Sequence, residues 1–464
     1  MRGPRRLPIL EQPAPTPGGG SLGKDGRRRR PYPADVSGRW VRARRLVYFA
    51  LVAIWAALPW IRIGGNPAVF LDVERRQFFL FGATFNAQDI WLLFFVVTGF
   101  GFGLLYVTAL LGRVWCGWAC PQTVFVEGIF RPIERLVNGS RNAAMERRSR
   151  PTSFDALWRL VVTHVLYVVA AAFAAHVFLA YFVSLPRLYT MVRANPSAHP
   201  EAFVWMLGST ALFYVAFGIF REQFCVVMCP YGRLQSVLLD DDSLVVGYDE
   251  RRGEPRGKAK TEGRGDCVDC DRCVVVCPTG IDIREGLQLD CIACTACIDA
   301  CDAVMDKLGQ PRGLIRYDSL RGLRGEKRRI VRPTVVVYTV LLAIGVVAAT
   351  LAVRARDPFE ANVLRLPGAP YTRDGDKLRN GYELHLVNKG SKATMFVITS
   401  KTAPDLDVIV PMQNVEVEPL GSRRVPFFVT MEAARFTGDR PVVVQIEAGG
   451  VHKDVKAVFL GGSR

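Results

Sequence analysis

No cysteine occurs after residue 301 in this chain of 464 residues. The C-terminal stretch therefore has no disulfide framework, and thiol chemistry is confined to what precedes it. Nothing in the sequence pairs a nucleophile with a general base, which excludes a triad-type hydrolase. Gly99, Gly101 and Gly103 follow no strand and precede no phosphate-binding helix, which excludes a nucleotide loop. They read instead as a close-packing surface on an apolar helix. The first apolar run has no small-residue cleavage site after it, and Pro59-Trp60-Ile61-Arg62 is a poor substitute. A retained first helix is expected rather than a signal peptide.

What is present is cysteine in patterned groups. Eight of the 12 cysteines lie in the 35 residues from Cys267 to Cys301, in two halves of the form C-x-x-C-x-x-C-x-x-x-C. In the bacterial ferredoxin run with this spacing, three cysteines bind one iron–sulfur cluster and the fourth reaches the other. The expected grouping is crossed. Cys267, Cys270, Cys273 and Cys301 hold one 4Fe-4S cluster, and Cys291, Cys294, Cys297 and Cys277 hold the second. A pair of zinc sites is the alternative, but zinc ribbons use two C-x-x-C pairs separated by a longer span. Pro278 directly follows the fourth cysteine, as the ferredoxin run expects, whereas Asp302 stands at that place in the second half.

Half of the chain is hydrophobic and its mean hydropathy is +0.16, yet its net charge is +17. Apolar segments joined by basic loops account for both values. Residues 1–40 are Pro-, Gly- and Arg-rich and predict a disordered basic tail. In it, Arg27 to Arg30 read as an anchor beside a membrane helix in preference to a nucleic-acid patch. Five apolar runs follow, Leu46–Ile61, Ile90–Leu111, Leu160–Val183, Phe203–Phe220 and Thr334–Val353. The middle ones reach the roughly 20 residues needed to span a bilayer. Lys and Arg number 12 in residues 1–45, 8 in 113–159 and 19 in 221–333, against 3 in 62–88 and 2 in 187–202. By the positive-inside rule the N-terminus and the Cys267–Cys301 segment are cytoplasmic, and five crossings put the C-terminal part on the opposite face. The basic charge is then membrane topology, and no nucleic-acid partner is expected. Residues 357–464 alternate in hydropathy around Tyr382–Val387, Val425–Thr430, Val442–Ile446 and Val455–Leu460, with turn signals between them, and predict a small β-sandwich.

The other four cysteines form two C-x-x-x-C-P motifs, Cys116 with Cys120 and Cys225 with Cys229. Arg113 and Arg221 precede them, and Pro121 and Pro230 follow. Each motif comes just after a predicted membrane helix, so the four thiols lie at one membrane level. Residues i and i+4 share a helix face, so both sulfurs of a pair could meet one metal. The prolines suit the first position of a new helix, which puts the second cysteine at a helix N-terminus, where a thiolate is favoured. Soft thiolates select Cu(I), zinc or iron–sulfur. The spacing leaves open two copper sites, one four-thiolate site, a redox dithiol, or plain packing between helices. His164 and His176 on the third predicted helix are candidate haem or copper ligands, with a bundle-facing polar role as the commoner case. His385, His452, Met395 and Met412 are too scattered and read as ordinary sheet residues.

These residues resemble those of the cytochrome c oxidase accessory proteins of the CcoG, FixG or RdxA family. The resemblance rests on Trp115 to Thr123, Gln223 to Arg233 and Cys291 to Tyr317, and covers about residues 40–464; Asp302 belongs to the family pattern. It implies a membrane α-helical bundle of five transmembrane helices with an inserted two-cluster ferredoxin-like domain and a C-terminal immunoglobulin-like β-sandwich. The expected domains are the tail 1–40, four helices with both motifs in 41–240, the ferredoxin-like domain in 241–330, the fifth helix in 331–356 and a periplasmic sandwich in 357–464. The implied activity is that of a cupric reductase of the bacterial inner membrane, supplying Cu(I) to the copper centre of a cbb-type oxidase. Two 4Fe-4S clusters are the implied cofactors, with copper as substrate or bound ion at Cys116, Cys120, Cys225 and Cys229. The implied partners are membrane lipid, a copper transporter or chaperone with the oxidase assembly machinery, and a cytoplasmic electron donor; a homo-oligomer is left open. The rivals are a quinol-oxidising membrane ferredoxin of the NapH or NosR kind and a non-enzymatic oxidase assembly factor.

Overall fold

The computed structural model describes residues 31–461 apart from 87–88, 259–260 and 391. The tail up to residue 30, with Arg27 to Arg30, lies outside the described residues. Two compact units divide the chain: residues up to Arg62 with Phe95–Val347, and Ile63–Phe94 with Ala348–Arg464.

Among the described residues four helices are long and apolar enough to cross a membrane, not the expected five: Asp89–Leu111, Phe154–Leu179, Pro200–Phe220 and Pro333–Arg354. Their apolar side chains face outward, Val97, Val169, Val204 and Val347 among them, as lipid-facing residues do. Their backbone hydrogen bonds close within each segment, which a bilayer requires. Gly99, Gly101 and Gly103 have open space where a Cβ would point, so they form no close-packing surface here.

The first apolar run does become helical, over Arg39–Ala57, but this helix carries Arg39, Arg42, Arg44 and Arg45 in its first turns. It starts inside the cysteine module instead of at a membrane surface. The Asp299 carboxylate accepts hydrogen bonds from the Trp40 and Val41 N–H groups, the latter at 2.8 Å. An acceptor from another element thus serves as its N-terminal cap. A Cβ on Gly38 would lie 2.1 Å from the Asp299 Cγ, so only glycine fits there. Residues 31–40 are likewise not a loose tail. The Ala34 N–H donates to the Val275 carbonyl at 2.9 Å, and Ala34 and Val36 pack against Val41, Cys294 and Ala300.

The cysteine module hangs between two antiparallel strands, Leu244–Tyr248 and Ile315–Ser319, with Tyr248 opposite Ile315. This pairing brings the two ends of the cysteine segment together. Val246, Ile281, Ile283, Ile298, Met305 and Leu314 form its core, with the cysteines packed among them.

The second unit is a sandwich of two antiparallel sheets. One orders Asp407–Ile409, Ser422–Glu432, Lys377–Asn388 and Phe359–Arg365, with Thr372–Asp374 paired at the side; the other orders Asn414–Val417, Thr394–Ser400, Arg440–Ala448 and Val451–Phe459. Tyr382, Leu384, Leu386, Phe396, Phe427 and Ile446 fill the space between them, the period-2 alternation seen in the sequence. Gly449 and Gly450, both at positive φ, make the last hairpin turn. A short meander, Val69–Asp72, Gln77–Leu80 and Ala83–Asn86, completes this unit, where only a connecting loop was expected. Phe427 is fully buried, so Phe427→Ala is expected to cost about 3–5 kcal/mol. Limited proteolysis of the full-length protein should then cut the sandwich many-fold faster, whereas Met395→Ala, exposed on the surface, should leave the rate unchanged.

Candidate metal centre

The two cysteine halves fold as near-copies. Cys267, Cys270, Cys273 and Cys277 correspond to Cys291, Cys294, Cys297 and Cys301, each 24 residues on. The residue before and the residue after the second cysteine are left-handed in both loops: Asp269 and Asp271 in one, Ala293 and Thr295 in the other. Left-handed non-glycine residues cost of order 1–3 kcal/mol each and persist only where surroundings hold them. They coil each loop tightly, and Asp271 and Thr295 then lead into the helices Arg272–Val275 and Ala296–Leu308.

Two cavities result. One is lined by Cys267, Cys270, Cys273 and Cys301, with Tyr248 and Met305 among its walls. The other is lined by Cys273, Cys277, Cys291, Cys294 and Cys297. Cys273 thus lines both cavities. Among the described residues no three His, Cys, Asp or Glu side chains converge on a point that would hold a single ion. Four sulfurs around a cavity suit a multi-iron cluster, and a tetrahedral zinc ion needs them closer. Burial pushes the Cys291 thiol up to about 11 and those of Cys273, Cys277 and Cys301 up to about 12. Only a bound cationic group would make thiolates of them near neutrality. Donors already face them: the Ala293 N–H serves Cys291, the Ile281 N–H serves Cys277 and the Ile315 N–H serves Cys301. The residues present fit two clusters.

What holds each loop differs. In the outer loop, Cys267–Cys273, the Arg284 guanidinium binds the left-handed pair directly, Asp269 at 2.7 Å and Asp271 at 2.6 Å, and is itself held by Asp282 at 2.6 Å. Cys270 is exposed there. The inner loop, Cys291–Cys297, is held from outside the module. Arg113, three residues before the first membrane-level cysteine, donates to the carbonyls of Leu289 and Cys291, the latter at 3.0 Å, and to that of Gly232 in the second motif at 3.2 Å. Arg44 donates to the Cys294 carbonyl at 2.5 Å. Gly117, inside the first motif, lies flush on the loop: a Cβ there would be 2.4 Å from the Ile292 carbonyl oxygen and 2.8 Å from that of Ala293. The Tyr48 hydroxyl donates to the Gly117 carbonyl.

The C-x-x-x-C-P cysteines come together at this contact, though not on shared helix faces. Cys116 sits in the short helix Val114–Trp118, which ends before Cys120; Cys120 caps the next helix, Pro121–Phe125. Cys225 sits in a π-helical turn, Phe224–Met228, and Cys229 caps Pro230–Leu238. The chain breaks between the two cysteines of each pair because proline must open a new helix. Instead, the two motifs pack on each other. The Gln122 amide donates to the Ala216 and Arg221 carbonyls at 2.9 and 3.0 Å, and Gln235 accepts from the Cys116 thiol at 3.3 Å while donating to the Gly112 carbonyl. Cys116 lies near Cys120, Cys229 and Cys291, and Cys225 near Cys120, Cys116 and Cys229. The N-terminal effect expected to favour thiolates is present but outweighed. Burial raises the Cys120 thiol although the Thr123 and Gln122 N–H groups serve it, and burial pushes Cys116 up to about 12.

Beside Cys225 lies a buried ion network that spacing did not reveal. Arg131 pairs with Glu127 and Glu222, and Arg221 with Glu134 at 2.7 Å. Arg113 and Arg221 were visible as the basic residues before each motif; Gly117, Arg44 and Tyr48 carried no local signal. The two membrane histidines do not converge. His164 Nδ1 lies 2.9 Å from the Tyr214 hydroxyl and His176 Nδ1 lies 2.7 Å from the Ala172 carbonyl. His385, His452, Met395 and Met412 are sheet or surface residues, with His452 beside Glu447.

Membrane-crossing helices joined to a two-loop cysteine module define the class: a membrane iron–sulfur redox protein. Residues 220–320 match the model of a 4Fe-4S dicluster domain, residues 90–139 and 198–240 match that of a 4Fe-4S binding domain, and residues 349–462 match that of the IG-like fold at the C-terminus of FixG. The nitrogen fixation protein FixG of Rhizobium meliloti is 36% identical over 462 residues, covering 88% of both chains. Protein RdxA of Cereibacter sphaeroides is 36% identical over 381 residues, covering 79% of this chain and 81% of its own, and RdxB of the same organism is 34% identical over 395 residues, covering 81% and 82%. The chain belongs to the FixG/RdxA family.

Gly117→Val forces the first motif off the inner loop, because backbone carbonyls cannot yield as a flexible side chain would. Iron and sulfide counts during incubation with a chelator are expected to fall faster in this variant than in the parent, with the exposed control Val73→Thr unchanged. Equal loss rates would mean that this contact does not protect the inner cavity.

Proposed function

We propose that the protein passes single electrons from a cytoplasmic donor to Cu(II), releasing Cu(I) for assembly of the copper centre of a cbb-type oxidase. One observation carries this reading: the segments bearing the membrane-level thiols pack on the inner cysteine loop, Gly117 flush against the Ile292 carbonyl and Cys225 lining a cavity with Ile292. Clusters held by the crossed cysteine groups would supply one-electron reducing equivalents. The protein's own part is to fix the loops and exclude water. It also offers the substrate soft sulfur ligands at Cys116, Cys120, Cys225 and Cys229, which favour the Cu(I) product over Cu(II). The basic segments support an inner-membrane orientation with the cysteine module cytoplasmic and the sandwich on the opposite face. A copper transporter or chaperone is then the acceptor of the product.

A second reading has a specific observation behind it. Both segments bearing the C-x-x-x-C-P cysteines fall within matches to a 4Fe-4S binding domain, so these four thiols could hold a further cluster instead of copper. An iron count separates the two, with about eight irons per chain for two clusters and about twelve for three.

The copper reading is tested on protein purified without oxygen, reduced with dithionite, desalted, and mixed with Cu(II) and a Cu(I) chelator. Stoichiometric Cu(I) is expected, lost at least tenfold in Cys267→Ala and in the Cys116→Ala/Cys120→Ala double variant. No Cu(I) above buffer would sink the reductase, and an unchanged double variant would move copper away from the first motif. Bleaching of the clusters by a quinol would instead favour the quinol-oxidising rival.

A further inference from the structure

The two cysteine halves are near-copies, and one departure from the copying bears on electron flow. Thr279 follows Cys277 by two residues, and the corresponding position in the other half is Ala303. Thr279 is 1% exposed, and its hydroxyl oxygen lies 3.3 Å from the Cys277 sulfur. When Cys277 is a thiolate ligand it has no proton to give, so the hydroxyl must be the donor. Thr279 also stands on a shared wall: it lines the inner cavity and a neighbouring one that reaches Cys225 and Glu222. The outer group has a hydroxyl neighbour of another kind: Tyr248 lines the outer cavity, and its hydroxyl lies against Cys267 while donating to Glu254 at 3.2 Å.

We propose that Thr279 is a positioning residue that raises the reduction potential of the inner cluster, the one docked on the membrane-level cysteines, by donating a hydrogen bond to the Cys277 sulfur. A hydrogen bond to a ligand sulfur withdraws negative charge and stabilises the reduced state, whose charge is more negative by one. The donor acts on one cluster alone because Ala303 has no hydroxyl. Its effect is to draw an electron toward the end of the relay that faces Cys116 and Cys225. The proposal rests on the crossed grouping of the cysteines and is independent of copper.

The test is an EPR-monitored redox titration of the full-length protein. The inner signal is identified as the one lost in Cys291→Ala. In Thr279→Val, which keeps shape and removes the hydroxyl, the inner wave is expected to move to lower potential while the outer wave stays. Thr279→Ser, which keeps the hydroxyl, should titrate like the parent. An unmoved inner wave in the valine variant overturns the proposal, as does an equal shift in valine and serine variants. Should valine prevent loading, Thr279→Ala, which also removes the hydroxyl, decides in the same titration, and an unmoved inner wave there overturns the proposal. Cys277→Ala separates the underlying grouping, since retention of both signals there would dismiss Cys277 as a ligand and the proposal with it.

Discussion

The contact between the inner cysteine loop and the first membrane-level motif is the constraint on which the redox unit depends. A left-handed loop cannot place its carbonyls in a helix or sheet ladder, and buried carbonyls without donors are costly. Arg113 and Arg44 supply those donors from segments remote in sequence. A guanidinium suits this because its planar fork reaches several acceptors at once and stays charged when buried. Gly117 closes the remaining gap, with no side chain between the motif and the Ile292 and Ala293 carbonyls. The separation of loop and motif is thereby set by the backbones themselves.

The same residues explain how far the sequence could be read. The cysteine spacing, the long apolar runs and the alternating strands were legible because each is a local period. The start of the first helix was misjudged because its arginines look like the flank of a membrane span. Arg44, counted among the charges that set topology, is instead buried against the Cys294 carbonyl. Asp299 lies between two cluster cysteines and carries no sign that it caps a helix beginning at Arg39. Contacts across more than 100 residues leave no spacing to detect, and Gly117 resembles any other small residue until the loop is seen against it. The meander over residues 69–86 was missed because its strands are only four residues long, too short to show a period.

The membrane-level cysteines show one rule overruled by a stronger one. A helix N-terminus favours a thiolate by a fraction of a kcal/mol to about 2 kcal/mol. Desolvation of a buried charge costs several kcal/mol. Cys120 occupies the capping position and receives two N–H donors, yet its thiol is raised. Such a sulfur is inert as a free nucleophile and receptive to a soft cation, which replaces the proton without leaving a bare charge behind.

The buried ion network beside Cys225 follows from the same electrostatics. Glu127, Glu134 and Glu222 are matched by Arg131, Arg221 and the nearby Arg44, whose charge reaches Glu127. Pairs of this kind seldom add stability over apolar packing of the same volume, since desolvation offsets their attraction. Their value here is a fixed field. An electron entering a low-dielectric pocket must be met by groups that do not need to reorganise. Arginines locked by carboxylates on both sides would keep their orientation if charge arrived by the proposed route, and Gln122 ties the same network to the first motif through the Arg221 carbonyl. The two C-x-x-x-C-P motifs are thereby held as one body, so a change at either pair is felt at the other through bonds that neither motif contains alone.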